Sequence, residues 1–339
     1  MYVQRTALGA ALAAALLVLF ASPAQAYVAG VSGNHPLEDP FASSYWQRNL
    51  GLDSVAVWIF WTPGQTQLTA DQVRLLEGAR AAAPRVFANV TSTFRGPHAR
   101  TQAYREQMCA LAVDAARYAG DVLLQNEPNA RGFFGPSYRA AADLVRLYAH
   151  CYPRLHGAGA KVWGLNTAPS HDPAKFIERV GRAYRQGGFS RKPLMDGFAH
   201  HPYPLPRSGE LPWAKHRVFI GMGDLARLRG ALCKAFGHTR QRCGRPILYT
   251  ETGVTMPGAQ PEALSYPDPM GWFAAAHRFA ACQRGVAGLL TFQLWDSPPG
   301  REFSWQSGLL DESRRPKPGL ERVRDAIAEI RAGGADCGG

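Results

Sequence analysis

A chain of 339 residues with 46% hydrophobic and 19% charged residues can bury a large core, which excludes a disordered or low-complexity protein. Its formal charge of +12 is scattered, with Arg191-Lys192 and Arg314-Arg315 the only adjacent basic pairs, so no basic helix argues for nucleic acid as a partner. Six cysteines occur without a C-x2-C or clustered Cys/His spacing, so neither a metal nor another cofactor is expected.

Residues 1–26 read as a signal peptide: Arg5, an apolar run from Ala7 to Phe20, then Ala24-Gln25-Ala26, the small-x-small pattern that signal peptidase accepts. That run falls short of the ~20 residues a spanning helix needs, so a secreted chain starting near Tyr27, with no membrane insertion, is expected. From there, short β-branched or aromatic runs alternate with longer stretches of helical periodicity. Val28–Ser32 reads as a strand and Phe41–Leu50 as the helix after it. Ser54–Trp61 is followed by a helix over Thr69–Ala83, Arg85–Ser92 by Arg100–Ala119, and Asp121–Asn126 by Ser137–Gly157. Lys161–Asn166 precedes a helix at Pro173–Gln186, Met195–His201 one at Gly223–Phe236, Pro246–Glu251 one at Pro269–Arg284, and Val286–Trp295 one at Pro318–Ile330. Eight βα units without a linker predict one α/β domain over residues 27–339, a (β/α)8 barrel.

Several boundaries carry their own signals. Thr69 with Gln72 three residues on predicts a capping box, Pro173 after Asp172 a first-turn proline, and Gly120 and Gly159 helix stops. Export makes disulfides the default for an even number of cysteines. Spacing does not fix the connectivity; the expected pairs are Cys233 with Cys243, Cys109 with Cys151 and Cys282 with Cys337.

The chemistry concentrates at two strand ends. Asp121-Val-Leu-Leu-Gln-Asn-Glu-Pro-Asn129 is an apolar strand that runs directly into an amide, a carboxylate and a proline, and Pro246-Ile-Leu-Tyr-Thr-Glu-Thr-Gly253 delivers a second glutamate in the same way. In a barrel the C-terminal strand ends form the active-site face. Either glutamate alone could serve as a helix cap or in a salt bridge. Glu127 and Glu251 together suit glycoside hydrolysis, in which one carboxyl donates a proton to the leaving oxygen and the other attacks or activates water.

This pattern resembles the clan A glycoside hydrolases, with Asn-Glu-Pro at strand four, a second glutamate at strand seven and an aromatic at strand eight; Gly197-Phe-Ala-His-His-Pro-Tyr203 makes it most similar to the family 39 and family 5 types. The resemblance implies a retaining β-glycosidase acting on an oligo- or polysaccharide as a monomer. It implies Glu127 as acid/base, Asn126 as the amide on the sugar 2-hydroxyl, and Glu251 as nucleophile. It also implies His201 and Tyr203 as residues that orient the nucleophile or touch the sugar, and Trp295 as the floor of the sugar site. The clan commonly keeps its nucleophile ionised with an arginine from an early strand. Here the second strand ends Trp58-Ile-Phe-Trp61, which leaves Arg95, or Tyr203 with His201, for that task. Burial and the neighbouring charge are expected to raise the pKa of Glu127.

Further aromatics suit sugar stacking. Trp58 and Trp61 are candidates, with core packing the alternative, and Trp305, Phe133 and Phe134 sit on expected loops. Asn89, at the end of the third strand, is a candidate substrate contact, and His200 a buried, hydrogen-bonded histidine. Two other classes compete: a transglycosylase using the same covalent intermediate, and a catalytically silent carbohydrate-binding protein, which has no need of two convergent carboxylates.

Overall fold

The computed structural model describes residues 27–92, 101–133, 138–205, 209–299, 304–335 and 337. Eight parallel strands close into a barrel in chain order: β1 (Val28–Ser32), β2 (Ser54–Trp61), β3 (Arg85–Ser92), β4 (Asp121–Leu124), β5 (Lys161–Thr167), β6 (Gly197–His200), β7 (Ile247–Thr252) and β8 (Val286–Phe292), which pairs back onto β1. The first three have the bounds expected from sequence. β4 and β8 are shorter at their C-terminal ends, where the residues beyond them leave the ladder to shape the mouth of the barrel, and β6 is shorter at both ends.

Around the barrel run α1 (His35–Glu38), α2 (Pro40–Asn49), α3 (Ala70–Ala82), α4 (Gln102–Ala115), α5 (Tyr138–Gly157), α6 (Pro173–Gln186), α7 (Leu225–Phe236), α8 (Pro269–Cys282) and α9 (Leu320–Arg331). The expected capping box forms at α3: Thr69 Oγ1 accepts from Gln72 N, and Gln72 Oε1 accepts from Thr69 N. Asp172 caps α6 ahead of Pro173. Gly159 adopts φ 83° just past α5, as a helix stop should, whereas Gly120 lies at the entrance to β4, five residues after α4 has ended.

The barrel interior is a packed plug. Val28, Phe87, Leu123, Trp163, Leu248 and Leu290 fill it together with the small residues Ala56 and Ala199. Trp163 needs Gly197 beside it, since a Cβ there would fall 2.3 Å from the indole. The Trp163 indole N–H donates to Asp121 (2.6 Å), and Arg85 grips the same carboxylate with two bonds of 2.8 Å, so the polar atoms in the plug are satisfied. Above this layer, polar side chains gather at the C-terminal mouth.

Disulfides join Cys233 to Cys243 and Cys282 to Cys337, as expected. The third expected pair is not bonded. Cys109 on α4 and Cys151 on α5 are buried free thiols at the packed α4–α5 interface, where Cys109 Sγ donates to His150 O at 4.0 Å. No helix among the described residues is long and apolar enough to cross a membrane.

Candidate active site

Glu127 is delivered by a broken strand end. Past Leu124 the chain enters left-handed backbone at Gln125 (φ 67°) and Glu127 (φ 39°), a conformation that costs a non-glycine residue about 1–3 kcal/mol and persists only where surroundings enforce it. The enforcement is visible. Gln125 N donates to Val90 O (2.9 Å), Glu127 N to Asn166 O (3.0 Å) and Ala130 N to Glu127 O (2.8 Å). Asn129 then pins the turn to the end of β5, donating to Ala168 O and Ser170 O and accepting from Ala168 N. Glu251 comes from β7 itself, where the register against β8 shifts between Tyr249 and Thr252.

One carboxylate oxygen from each glutamate and a ring nitrogen of His201 all lie within 4.8 Å of one another. His201 Nδ1 is 3.0 Å from Glu127 Oε1 and 3.9 Å from Glu251 Oε1, and the Tyr203 hydroxyl donates to Glu251 Oε1 at 2.7 Å. Glu251 Oε2 is buried with no hydrogen-bond partner among the described residues. Asn126 Oδ1 accepts from both Asn89 (3.1 Å) and Asn166 (3.2 Å), so its two amide hydrogens remain to serve the cavity it lines.

That cavity, of about 450 Å³, has Asn126, Glu127, Tyr203 and Glu251 around its base and Trp58, Phe133, Phe219, Phe292 and Trp305 in its walls. Trp58 and Phe292 stack (5.8 Å, 22°), and Trp305 meets Phe292 edge-on at 5.2 Å. A backbone bond from Ser297 N to Trp305 O closes the loop after β8, and one from Gln306 N to Gln260 O holds it to the loop after β7. A larger cavity of about 720 Å³ lies among residues 237–246, which precede β7 at the opposite end of the barrel; Arg242 and Arg245 line it and no carboxylate does.

Not every expected contact reaches the cavity. Trp295, three residues beyond β8, has turned away toward α1, where its indole donates to Glu38 (2.8 Å) and its ring packs on His35 at 4.4 Å; Phe292 occupies the wall instead. Asn89 sits beneath Asn126 as its support, and His201 beneath the two glutamates. Trp61 is core, packed edge-on against Tyr104 at 4.9 Å. Phe133 lines the cavity, while Phe134 and Arg95 lie outside the described residues. Sequence reasoning missed Asn166, Thr250 and Phe292, although each stands at or near the end of an expected strand, the position at which the barrel presents side chains to its mouth.

The electrostatics centre on Glu251. Burial pushes Glu251 up to about 7, and the Glu127 charge adds to the rise, against the opposing pull of His201 and the Tyr203 hydrogen bond. The depth of Glu251 gives the reason: its side chain is only 7% exposed. No arginine among the described residues pairs with Glu251 to offset its burial. For His201, burial opposes the imidazolium, but the Glu251 charge and the Glu127 hydrogen bond prevail and hold its pKa above the ordinary value. His200 behaves as the buried histidine expected, pushed down to about 4 by burial and bonded to Thr167 and Ile220 O. Glu127, His201 and Glu251 could also ligate a cation, but Tyr203 and the imidazole already engage their inner oxygens.

No protein-family model matches the chain, and no curated protein matches it in sequence. Solved structures do. A family 39 glycoside hydrolase from Bacteroides cellulosilyticus aligns with TM-score 0.66 and 13% identity over 91% of this chain and 64% of its own. A GH39 enzyme from Xanthomonas axonopodis pv. citri gives 0.59 and 14% over 90% and 66%. A GH5_18 variant from Bifidobacterium longum subsp. longum, solved in complex with Manb1-4GlcNAc, gives 0.62 and 16% over 90% and 79%. The chain spans less than two-thirds of the length of both family 39 structures. At these identities the likeness establishes the fold, a (β/α)8 barrel of the kind these hydrolases share.

Proposed function

We propose that this protein is a glycoside hydrolase that cleaves β-linked glycosides with retention of configuration, using Glu127 as acid/base and Glu251 as nucleophile. The observation that carries the reading is the pair of carboxylates within 4.8 Å at the C-terminal mouth of the barrel. Retaining enzymes hold their carboxyl groups ~5–5.5 Å apart, whereas inverting ones leave ~6.5–9.5 Å for a water. The hydrolase neighbours in structure support the same class.

Roles follow from what each oxygen touches. Tyr203 occupies Glu251 Oε1, so Oε2 is the oxygen left to attack the anomeric carbon. Glu127, hydrogen-bonded to His201 at the more exposed edge, protonates the glycosidic oxygen and afterwards deprotonates water. The Asn126 amide donates to the sugar 2-hydroxyl, and the Trp58, Phe292 and Trp305 rings give apolar faces for the sugar to rest on. A cavity of about 450 Å³ is of small-molecule size, which supports a short glycoside or the end of an oligosaccharide as the substrate. Two disulfides support export, with residues 1–26 removed and residues 27–339 forming the catalytic domain.

The test is a panel of β-glycosides followed by proton NMR. The first product is expected to be the β-anomer, with mutarotation to α later, and chelator is expected to leave the rate unchanged. An α-anomer formed first would overturn retention, and no turnover across the panel would overturn the hydrolase.

The raised Glu251 predicts the pH profile. Because the nucleophile must be ionised, kcat/KM is expected to fall about tenfold per pH unit as pH drops below about 7. Tyr203→Phe removes a hydrogen bond that favours the carboxylate, so this limb should move to higher pH and the rate at neutral pH should drop roughly tenfold to a hundredfold. An unmoved limb would separate Tyr203 from control of the nucleophile.

A further inference from the structure

We infer that Asn166 is a positioning residue for the reaction: its side-chain amide keeps the proton of His201 on Nε2, which makes His201 Nδ1 the atom with which Glu127 shares its catalytic proton. The kinetic part of this inference rests on the hydrolase reading; the placement of the proton does not.

Asn166 is the residue that the site is built around. β5 loses register with β6 between Gly164 and Thr167, and Leu165 and Asn166 adopt φ of 72° and 36°. This irregularity sets a fully buried asparagine in contact with all three strand ends that carry the site. Its backbone carbonyl accepts from Glu127 N after β4, and its side chain meets Asn126, His201 beyond β6 and Thr250 of β7. Such strain in a non-glycine residue is tolerated where the surroundings over-determine it, and here every hydrogen-bonding end of the side chain is engaged.

The orientation of the amide follows from one fixed neighbour. Asn166 Nδ2 lies 3.3 Å from the backbone carbonyl of Gln125, and a carbonyl can only accept. The nitrogen therefore faces β4, where it also donates to Asn126 Oδ1, and the oxygen faces Thr250 and His201. That oxygen accepts from the Thr250 hydroxyl at 2.6 Å and stands 2.9 Å from His201 Nε2. Two acceptors do not approach so closely, so Nε2 carries a hydrogen.

The consequence appears on the other side of the ring. In the neutral imidazole Nδ1 is then a bare acceptor, and its 3.0 Å contact with Glu127 Oε1 needs a proton that Glu127 supplies. Where the ring is neutral, Glu127 thus starts protonated, as a general acid must; on the imidazolium, Nδ1–H would donate to an ionised Glu127 instead. With the opposite tautomer, Nδ1–H would donate to an ionised Glu127 and no acid would be present. During glycosylation the Glu127 O–H bond breaks and its proton passes to the leaving oxygen. The resulting carboxylate faces the Nδ1 lone pair, and this repulsion raises its basicity for the second step, in which it takes a proton back from the attacking water. One proton leaves Glu127 and one returns, while Nε2–H stays in place throughout.

The direct test is imidazole ¹⁵N NMR of histidine-labelled protein, with His201 assigned by its loss in His201→Gln. Above the His201 titration the wild type should show the Nε2–H tautomer, and Asn166→Ala should shift the signal toward the Nδ1–H form. Kinetically, Asn166→Ala should lose about 100-fold on a glycoside whose leaving group needs protonation, and far less on the 2,4-dinitrophenyl glycoside, which departs unprotonated. An Nδ1–H tautomer in the wild type would overturn the proposal without any variant, even if Asn166→Ala failed to fold. Equal losses on both substrates, or an unchanged tautomer in the variant, would also overturn it. Absence of wild-type turnover would instead remove the hydrolase reading and leave the proton placement to the spectrum.

Discussion

Glu251→Gln is expected to lose hydrolysis of every glycoside, activated or not, by on the order of 10⁴-fold or more, the scale on which removal of a covalent nucleophile acts. The amide has the same shape and still offers Tyr203 an acceptor, so substrate affinity should survive while kcat collapses. Leaving-group ability cannot rescue it, because the missing step is attack by Oε2 on the anomeric carbon. Isothermal titration with an uncleaved oligosaccharide, beside rate measurements on aryl and alkyl glycosides, separates binding from turnover. Retention of normal activity on every substrate would remove Glu251 from the mechanism. If the wild type bound glycan equally well and also turned nothing over, the protein would be a carbohydrate-binding module.

Glu127→Ala should instead show a loss graded by the leaving group. Glycosides with poor leaving groups are expected to drop by about 10²–10⁴-fold, the usual yield of general acid catalysis, because their oxygen must be protonated as it departs. The 2,4-dinitrophenyl glycoside should still glycosylate Glu251 and then stall, since no base remains to activate water, and mass spectrometry should find the protein heavier by one glycosyl unit. Azide needs no deprotonation and fits the space vacated by the Glu127 side chain, so it should restore turnover and release a β-glycosyl azide. An α-azide, or a uniform loss across leaving groups, would reassign Glu127.

Much of this site is readable in the sequence because a (β/α)8 barrel ties function to strand ends. An apolar run terminating in Asn126-Glu127-Pro128, and another terminating in Glu251, places both carboxylates at one mouth without coordinates. His201 and Tyr203 follow from the same rule. What escapes is whatever depends on where the chain turns after leaving the ladder. Trp295 and Phe292 are both aromatics at the end of the eighth strand, and only the turn beyond Phe292 sends Trp295 to His35 and Glu38. Asn166 is hidden for a related reason: its role depends on a register irregularity with β6, and neither composition nor period records that. The raised pKa of Glu251 likewise needs the charges around a buried oxygen and the depth of that oxygen, neither of which the strand pattern records.

The aromatic plug of Phe87 and Trp163, closed below by Asp121 and Arg85, gives the barrel a single door. Among the described residues everything that enters or leaves the carboxylates uses one mouth, so the events of the proposed double displacement would be forced into a queue. The detached aglycone has to clear the opening before a water can stand beside Glu127, and that water arrives along the path the aglycone has vacated. An alcohol held at the mouth would take the water's turn, so on the proposed mechanism the traffic rule of a one-ended site would decide between hydrolysis and transfer to an acceptor.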